Sequence, residues 1–176
     1  MRKLLITLSL VFVMSAGAFA QRFAFVDSEY ILKHIPEYVA AQKQLDALSQ
    51  QWQKEVDDRF AEIEKLYKAY QADQVLLTEE MRKRRENEII EKEKAAKELQ
   101  RVKFGFEGDL YRERVKLIEP IQERVAKAVQ AYAENQQLDM VFDKNSQLQL
   151  LFASPRLDKS NDIITRLGYK PGTFAK

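Results

Sequence analysis

Apolar residues recur at spacings of three and four along the first half of the chain: Leu45, Leu48, Trp52, Val56, Phe60, Ile63, Tyr67 and Tyr70. Such spacing places side chains on one stripe of an α-helix. Pro36 suits the first turn, where its missing N–H costs nothing, and neither Gly nor Pro interrupts 37–78. The outgoing helix therefore has about 40 residues and a length of ~60 Å. Ala72 to Thr78 reads as a turn, because Val75-Leu76-Leu77 breaks the charged periodicity. Thr78, followed by Glu79 and Glu80, reads as a fresh N-cap. A returning stripe comprises Ile89, Ala96, Leu99, Phe106, Leu110, Leu117, Ile121, Val125, Ala128 and Tyr132, and is thin between Met81 and Leu99.

Short strand-like runs flank this helical hairpin. Phe23-Ala24-Phe25-Val26 precedes it; Leu138-Asp139-Met140-Val141-Phe142 and Leu148-Gln149-Leu150-Leu151-Phe152 follow it. Asp143-Lys144-Asn145-Ser146 supplies turn residues between the last two, which predicts a β-hairpin to which the first strand adds. Asp27-Ser28-Glu29 can open a short helix. A final helix over Asp158–Leu167 is capped by Asp158 or Ser160 and stopped at Gly168. The predicted class is α+β, mostly helical: a long antiparallel helical hairpin, or tentacle, projecting from a small β-containing head. The head comprises 21–36 and 118–168, the arm 37–117 with its tip near 72–78, and 169–176 forms a loose tail. A head with so few strands offers a small core and open sheet edges, which calls for oligomerisation.

Three residues weaken the returning helix. Gly105 and Gly108 each cost up to ~1 kcal/mol relative to Ala, and Pro120 removes a backbone bond and should kink the helix. They are hinge candidates. Replacing both glycines with Ala is expected to add up to ~2 kcal/mol of helix stability, provided neither adopts a special conformation.

The N-terminus changes the reading of the charge. Arg2 and Lys3, an apolar run from Leu4 to Met14, and Ala18-Phe19-Ala20 have the form of a secretory signal peptide over 1–20. The 29 basic residues then lose two and match the 27 acidic ones, so the processed chain is formally neutral. Net charge gives no argument for nucleic-acid binding. There is no Cys, hence no disulfide, thiol nucleophile or cysteine metal site.

Enzyme chemistry finds little footing. His34 is the one His, and it reads as structural. Carboxylates alternate with Lys and Arg at helical spacings and read as solvated faces and i,i+4 pairs. No Gly-rich phosphate loop occurs. The expectation is a non-enzyme with no metal and no cofactor.

The order of motifs resembles the Skp/OmpH family of periplasmic chaperones for outer-membrane proteins. The residues that carry the resemblance are Phe23-Ala24-Phe25-Val26-Asp27, Ile31-Leu32, Pro36-Glu37 with Ala40-Ala41-Gln42 and Leu45, Leu117-Ile118-Glu119-Pro120-Ile121, Leu138 to Asp143, and Leu157-Asp158-Lys159-Ser160. The resemblance spans essentially all of Phe23–Leu167. It implies a periplasmic homotrimer whose three helical arms enclose a cavity. Unfolded outer-membrane proteins would be held there without ATP.

Under that resemblance the trimer interface is expected at Phe23, Phe25, Met140, Phe142, Leu148, Leu150 and Phe152. Candidate contacts to an unfolded client are Phe60, Tyr67, Tyr70, Phe104, Phe106 and Tyr111. Packing of the same rings into the seam between the two helices is the other reading. Phe104 and Phe106 lie roughly 200° apart on a helix and cannot share a face. Arg82-Lys83-Arg84-Arg85 is the densest basic run. It is either an exposed face balanced by neighbouring Glu residues or a contact for anionic lipid or lipopolysaccharide. The alternative function is a structural coiled-coil scaffold or spacer of the periplasm. The thin seam between Met81 and Leu99 argues against that alternative.

Overall fold

The computed structural model describes residues 22–146 and 151–175. In chain order these form strand β1 (Phe23–Val26), helices α1 (Ser28–Lys33), α2 (Pro36–Asp73), α3 (Glu79–Phe104) and α4 (Asp109–Gln136), strand β2 (Met140–Asp143), a 3-10 turn at Pro155–Leu157, and helix α5 (Ser160–Arg166). The long helices and the small sheet match the expected α+β class. Two compact units divide the chain. Among the described residues, one draws on 22–31, 125–146 and 151–171, the other on 32–124 and 172–175.

In the first unit, β1 and β2 pair in parallel, with Phe23 opposite Met140 and Phe25 opposite Phe142. The ladder continues at both ends: Asp139 N–H donates to Arg22 O at 2.9 Å and Lys144 N–H to Val26 O at 2.8 Å. The second strand of the expected β-hairpin, Leu148–Phe152, falls mostly outside the described residues. Residues 147–150 lie outside the described residues, while Leu151 and Phe152 are not in a strand. The sheet among the described residues has two strands running the same way, because the chain makes a long helical excursion and re-enters in its original direction. Ala24, Phe25 and Val26 are all buried, so both faces of β1 are covered, as parallel strands require.

Each extended segment here ends in an aspartate, and these organise the polar side of the unit. Asp27 Oδ1 accepts from Tyr30 N at 2.9 Å, capping α1. Asp143 Oδ1 accepts from Ser28 N at 3.2 Å. Lys159 N–H donates to Phe25 O at 2.9 Å. Asp158 Oδ1 then accepts from Ser160 N at 2.9 Å and from Ser160 Oγ at 2.6 Å. Ser160 is 2 % exposed, and its hydroxyl also accepts from Asp27 N at 2.8 Å. The α5 helix carries the fully buried Ile163 and Ile164. Tyr132 donates to Asp162 Oδ2 at 2.9 Å; burial and then this bond push its phenol up to about 12.

In the second unit, α2 begins with Pro36 at its first turn and no side-chain cap. α3 begins at Thr78, whose hydroxyl accepts from Met81 N at 3.3 Å. The helices form an antiparallel hairpin with its turn at residues 74–78. They pack through one narrow core of Ile63, Tyr70, Ile89 and Ala96, with Phe60, Leu66 and Leu77 against it. Pro120 does not interrupt α4. It and Lys116, whose carbonyl loses the bond, are both exposed, so water can take that carbonyl.

The expected loose tail is held instead. Gly172 N–H donates to His34 Nε2 at 3.0 Å, Ala175 N–H donates to Lys33 O at 3.1 Å, and the Phe174 ring lies 4.8 Å from the His34 ring. His34 is 2 % exposed, so its ring is packed inside the fold. We expect His34→Ala to destabilise this unit by about 2–3 kcal/mol, through lost ring packing and the orphaned bond. Urea unfolding that leaves the midpoint unchanged would show the tail contact to be incidental.

Candidate functional site

The helical hairpin carries the candidate side chains. Because two helices meet along a single stripe, most of each helix faces solvent. Leu45, Val56, Ile63 and Tyr70 are buried on α2, and Ile89 and Ala96 on α3. Lys92 crosses from α3 to Glu62 of α2 at 2.8 Å. Both ends of that pair are partly exposed, so it contributes little beyond register.

The six aromatic candidates divide between the two readings. Tyr70 is buried in the seam, where its hydroxyl donates to Glu86 and accepts from Gln74 Nε2 at 3.3 Å. Glu86, through that bond first, raises the Tyr70 phenol above its usual range. Phe60 is half-buried against the same core, and Phe104 is half-buried. Tyr67 and Tyr111 are about half exposed, and Phe106 is 97 % exposed. Leu66 takes the seam position that the spacing assigned to Tyr67.

Phe106 left the stripe because the returning helix is not one helix. α3 ends at Phe104 and α4 starts at Asp109, and Glu107 between them has a left-handed φ of +52°. An added Cβ on Gly105 would lie 2.3 Å from Arg101 O; on Gly108 it would lie 2.8 Å from Val102 O and 2.9 Å from Gly105 O. The proviso attached to the alanine exchange therefore fails, and the expected gain in stability is withdrawn. Both glycines are there because the backbone folds back on itself too closely for any side chain.

This junction is braced by charge. Lys103 Nζ sits 2.7 Å from Asp109 Oδ2 and 4.5 Å from the centroid of the Trp52 ring. Arg112 pairs with the other oxygen of Asp109 and donates to Glu107 O at 2.9 Å. Lys103 first, and then Arg112, holds the Asp109 carboxyl below the usual carboxylate range, against the opposing effect of burial. Reasoning from sequence missed these residues. The available signal was a Lys and an Asp closely flanking two glycines.

Beside the junction, α2 and α4 border two open clefts of about 410 and 430 Å³, which share Gln42, Tyr111 and Arg114. Phe104, Leu45 and Leu110 line the first, Tyr38, Val115 and Ile118 the second. The walls mix apolar and polar groups. At the tip, Val75 and Leu76 are 89 % and 86 % exposed. In the basic run, Arg82 Nε donates to Leu77 O at 3.2 Å and its guanidinium lies 3.7 Å from Glu79. Arg82 and Arg85 are half-buried, whereas Lys83 and Arg84 face solvent.

Of the expected oligomer contacts, Phe23, Met140 and Phe152 are exposed, the last at 83 %. Phe25 is buried within its own chain. Phe142 is half-buried with its ring 6.2 Å from that of Phe23. Leu148 and Leu150 lie outside the described residues. Among the described residues no group of three or more His, Cys, Asp or Glu could hold a metal, and no helix is long and apolar enough to cross a membrane.

No curated protein matches the chain in sequence. Among solved structures, the fold is similar to the crystal structure of a candidate outer membrane chaperone (OmpH-like) from Caulobacter crescentus. The TM-score is 0.64 at 14 % identity, covering 91 % of this chain and 92 % of that one. The family described as outer membrane protein (OmpH-like) matches residues 22–167. That span runs from β1 through the helical hairpin to the end of α5, and the chain belongs to the outer membrane protein (OmpH-like) family.

Proposed function

We propose that the protein is an ATP-independent holdase of the periplasm that keeps unfolded outer-membrane proteins from aggregating. The observation that carries this reading is the helical hairpin itself. Its seam is one residue-stripe wide, and it leaves the rings of Tyr67, Phe106 and Tyr111 exposed. A wall of scattered apolar contacts among charges suits clients that alternate apolar and polar residues, as barrel strands do. Membership of the OmpH-like family and the likeness to a candidate outer membrane chaperone support it.

The mechanism is avidity: many weak contacts from several arms, none decisive, with effective concentration doing what single affinities cannot. Several arms require several chains. We propose a homotrimer joined through its β-containing units, where exposed Phe23, Met140 and Phe152 offer apolar surface. The test is light scattering of an unfolded outer-membrane barrel diluted from urea. Suppressed scattering near one trimer per client is expected, with the protein sedimenting as a trimer. Scattering equal to that of the barrel alone, or a folded monomer at micromolar concentration, would sink the proposal.

The basic run is proposed to touch anionic lipid or lipopolysaccharide. Replacing Arg82, Lys83, Arg84 and Arg85 with Gln should weaken binding to anionic vesicles more than about tenfold at low salt, at ~1 kcal/mol per surface-facing charge. Lys83 and Arg84 should account for most of this, since Arg82 is tied to Leu77 and Glu79. The difference should shrink as salt screens the contact. Unchanged low-salt binding would leave the run as a solvated helix face.

A further inference from the structure

The α3–α4 junction combines four features that a simple helix break does not need. Glu107 is a non-glycine residue in the left-handed region. Two glycines, at 105 and 108, sit where any Cβ would meet backbone oxygen. A guanidinium, from Arg112, holds the carbonyl of the strained residue at 2.9 Å. An ion pair only about one-quarter exposed, Lys103 to Asp109 at 2.7 Å, closes the turn beside Trp52. Strained backbone of this kind persists only where its surroundings over-determine it. The outcome of all four is a single one: Phe106 stands in solvent at 97 % exposure.

An ordinary hinge would not be arranged this way. Freedom at a hinge comes from residues with few constraints, whereas here the backbone on both sides of Phe106 is tied. Nor does the ring belong to a folded-protein interface. Of the residues that flank it, Glu107 is exposed and charged and Gly105 has no side chain, and specific interfaces between folded proteins need a broad buried patch. A protruding ring can be covered by a chain that wraps around it, so an extended polypeptide is the partner whose shape fits.

We infer that the junction is a display turn, in which Lys103, Asp109 and Arg112 are positioning residues that fix the backbone at Phe106 so that its ring projects as an apolar contact for an extended client segment. The inference rests on the holdase reading above and adds to it one defined contact and the device that presents it. Fixing the backbone beforehand lowers the ordering cost that a flexible loop would incur on binding.

The experiment measures the dissociation constant of a fluorescently labelled, urea-unfolded eight-stranded outer-membrane barrel for the full chain without residues 1–20. Phe106→Ser should weaken binding roughly fivefold, the scale of one contributing contact and below that of an interface hot spot, and Phe106→Trp should restore it. Since Phe106 touches little of its own chain, neither change threatens the fold. The pair Lys103→Met and Arg112→Met, which releases the turn, should weaken binding by a similar factor. Added to Phe106→Ser, however, that pair should weaken it no further, because the display has nothing left to present. Effects that multiply instead would mean the ion pairs act on arm structure at large, and would overturn the inference. Wild-type binding unaltered by Phe106→Ser would overturn it while leaving the holdase reading standing. A barrel that does not bind the wild-type chain would sink both.

Discussion

Replacing Gly108 with Ala is expected to destabilise the helical hairpin unit by about 1–3 kcal/mol, the range for forcing atoms into occupied space. Helix propensity alone predicts the opposite sign, since Ala is the better helix former by up to ~1 kcal/mol. The structure decides between them. Gly108 is buried, and its added Cβ would meet two backbone carbonyl oxygens, of Val102 and Gly105, at under 3.0 Å. Backbone cannot swing aside as a side-chain tip can. Gly105→Ala should behave likewise, because Arg101 O would be 2.3 Å away. Amide exchange across 101–112 should accelerate in both variants, while β1 and β2 keep their protection. Slower exchange in the alanine variants would mean that α3 and α4 prefer to run through as one helix, and the junction would then be a soft spot.

Ser160→Ala should cost the β-containing unit about 2–3 kcal/mol. The hydroxyl is buried and used twice, accepting from Asp27 N and donating to Asp158 Oδ1. Removing it takes the acceptor from the Asp27 N–H, and an unsatisfied part-buried donor incurs its desolvation penalty, whereas Asp158 is exposed and its Oδ1 keeps the bond from Ser160 N. Ser160→Thr keeps the hydroxyl and should retain most of the stability if its methyl group is accommodated. Urea unfolding with an unchanged slope and a lowered midpoint would report this. A loss under about 0.5 kcal/mol would mean that water replaces the hydroxyl.

Much of the helical part was legible because its determinants are local. Pro36 at a first turn and Thr78 as an N-cap act within a few residues of themselves. The stripe from Leu45 to Tyr70 follows from 3.6 residues per turn, whatever the helix packs against. For the same reason a turn near 72–78, which the structure begins after Asp73, and the helix opened by Asp27 could be read directly. The order of short motifs carried the family resemblance across Phe23–Leu167, in accord with the family match over 22–167.

What could not be read depends on groups far apart in the chain. Strand direction is one case: Phe23–Val26 and Met140–Asp143 look the same in a parallel or an antiparallel ladder. Only the path of the intervening helices chose parallel. The tail is another, since a hydrogen bond between Gly172 and His34 joins residues separated by 138 positions. Ser160 reads as a helix cap, yet it is the first residue inside α5, and its hydroxyl accepts from Asp27 N, 133 positions away. The junction at 105–108 falls between the two kinds. Its glycines announce a weak helix, but whether weakness becomes a hinge or a braced turn is set by Trp52 and by the Lys103–Asp109–Arg112 charges. Local propensity therefore determined the helices of this protein. Long-range hydrogen bonds and charge determined how its strands pair, where its tail rests and which aromatic ring it exposes.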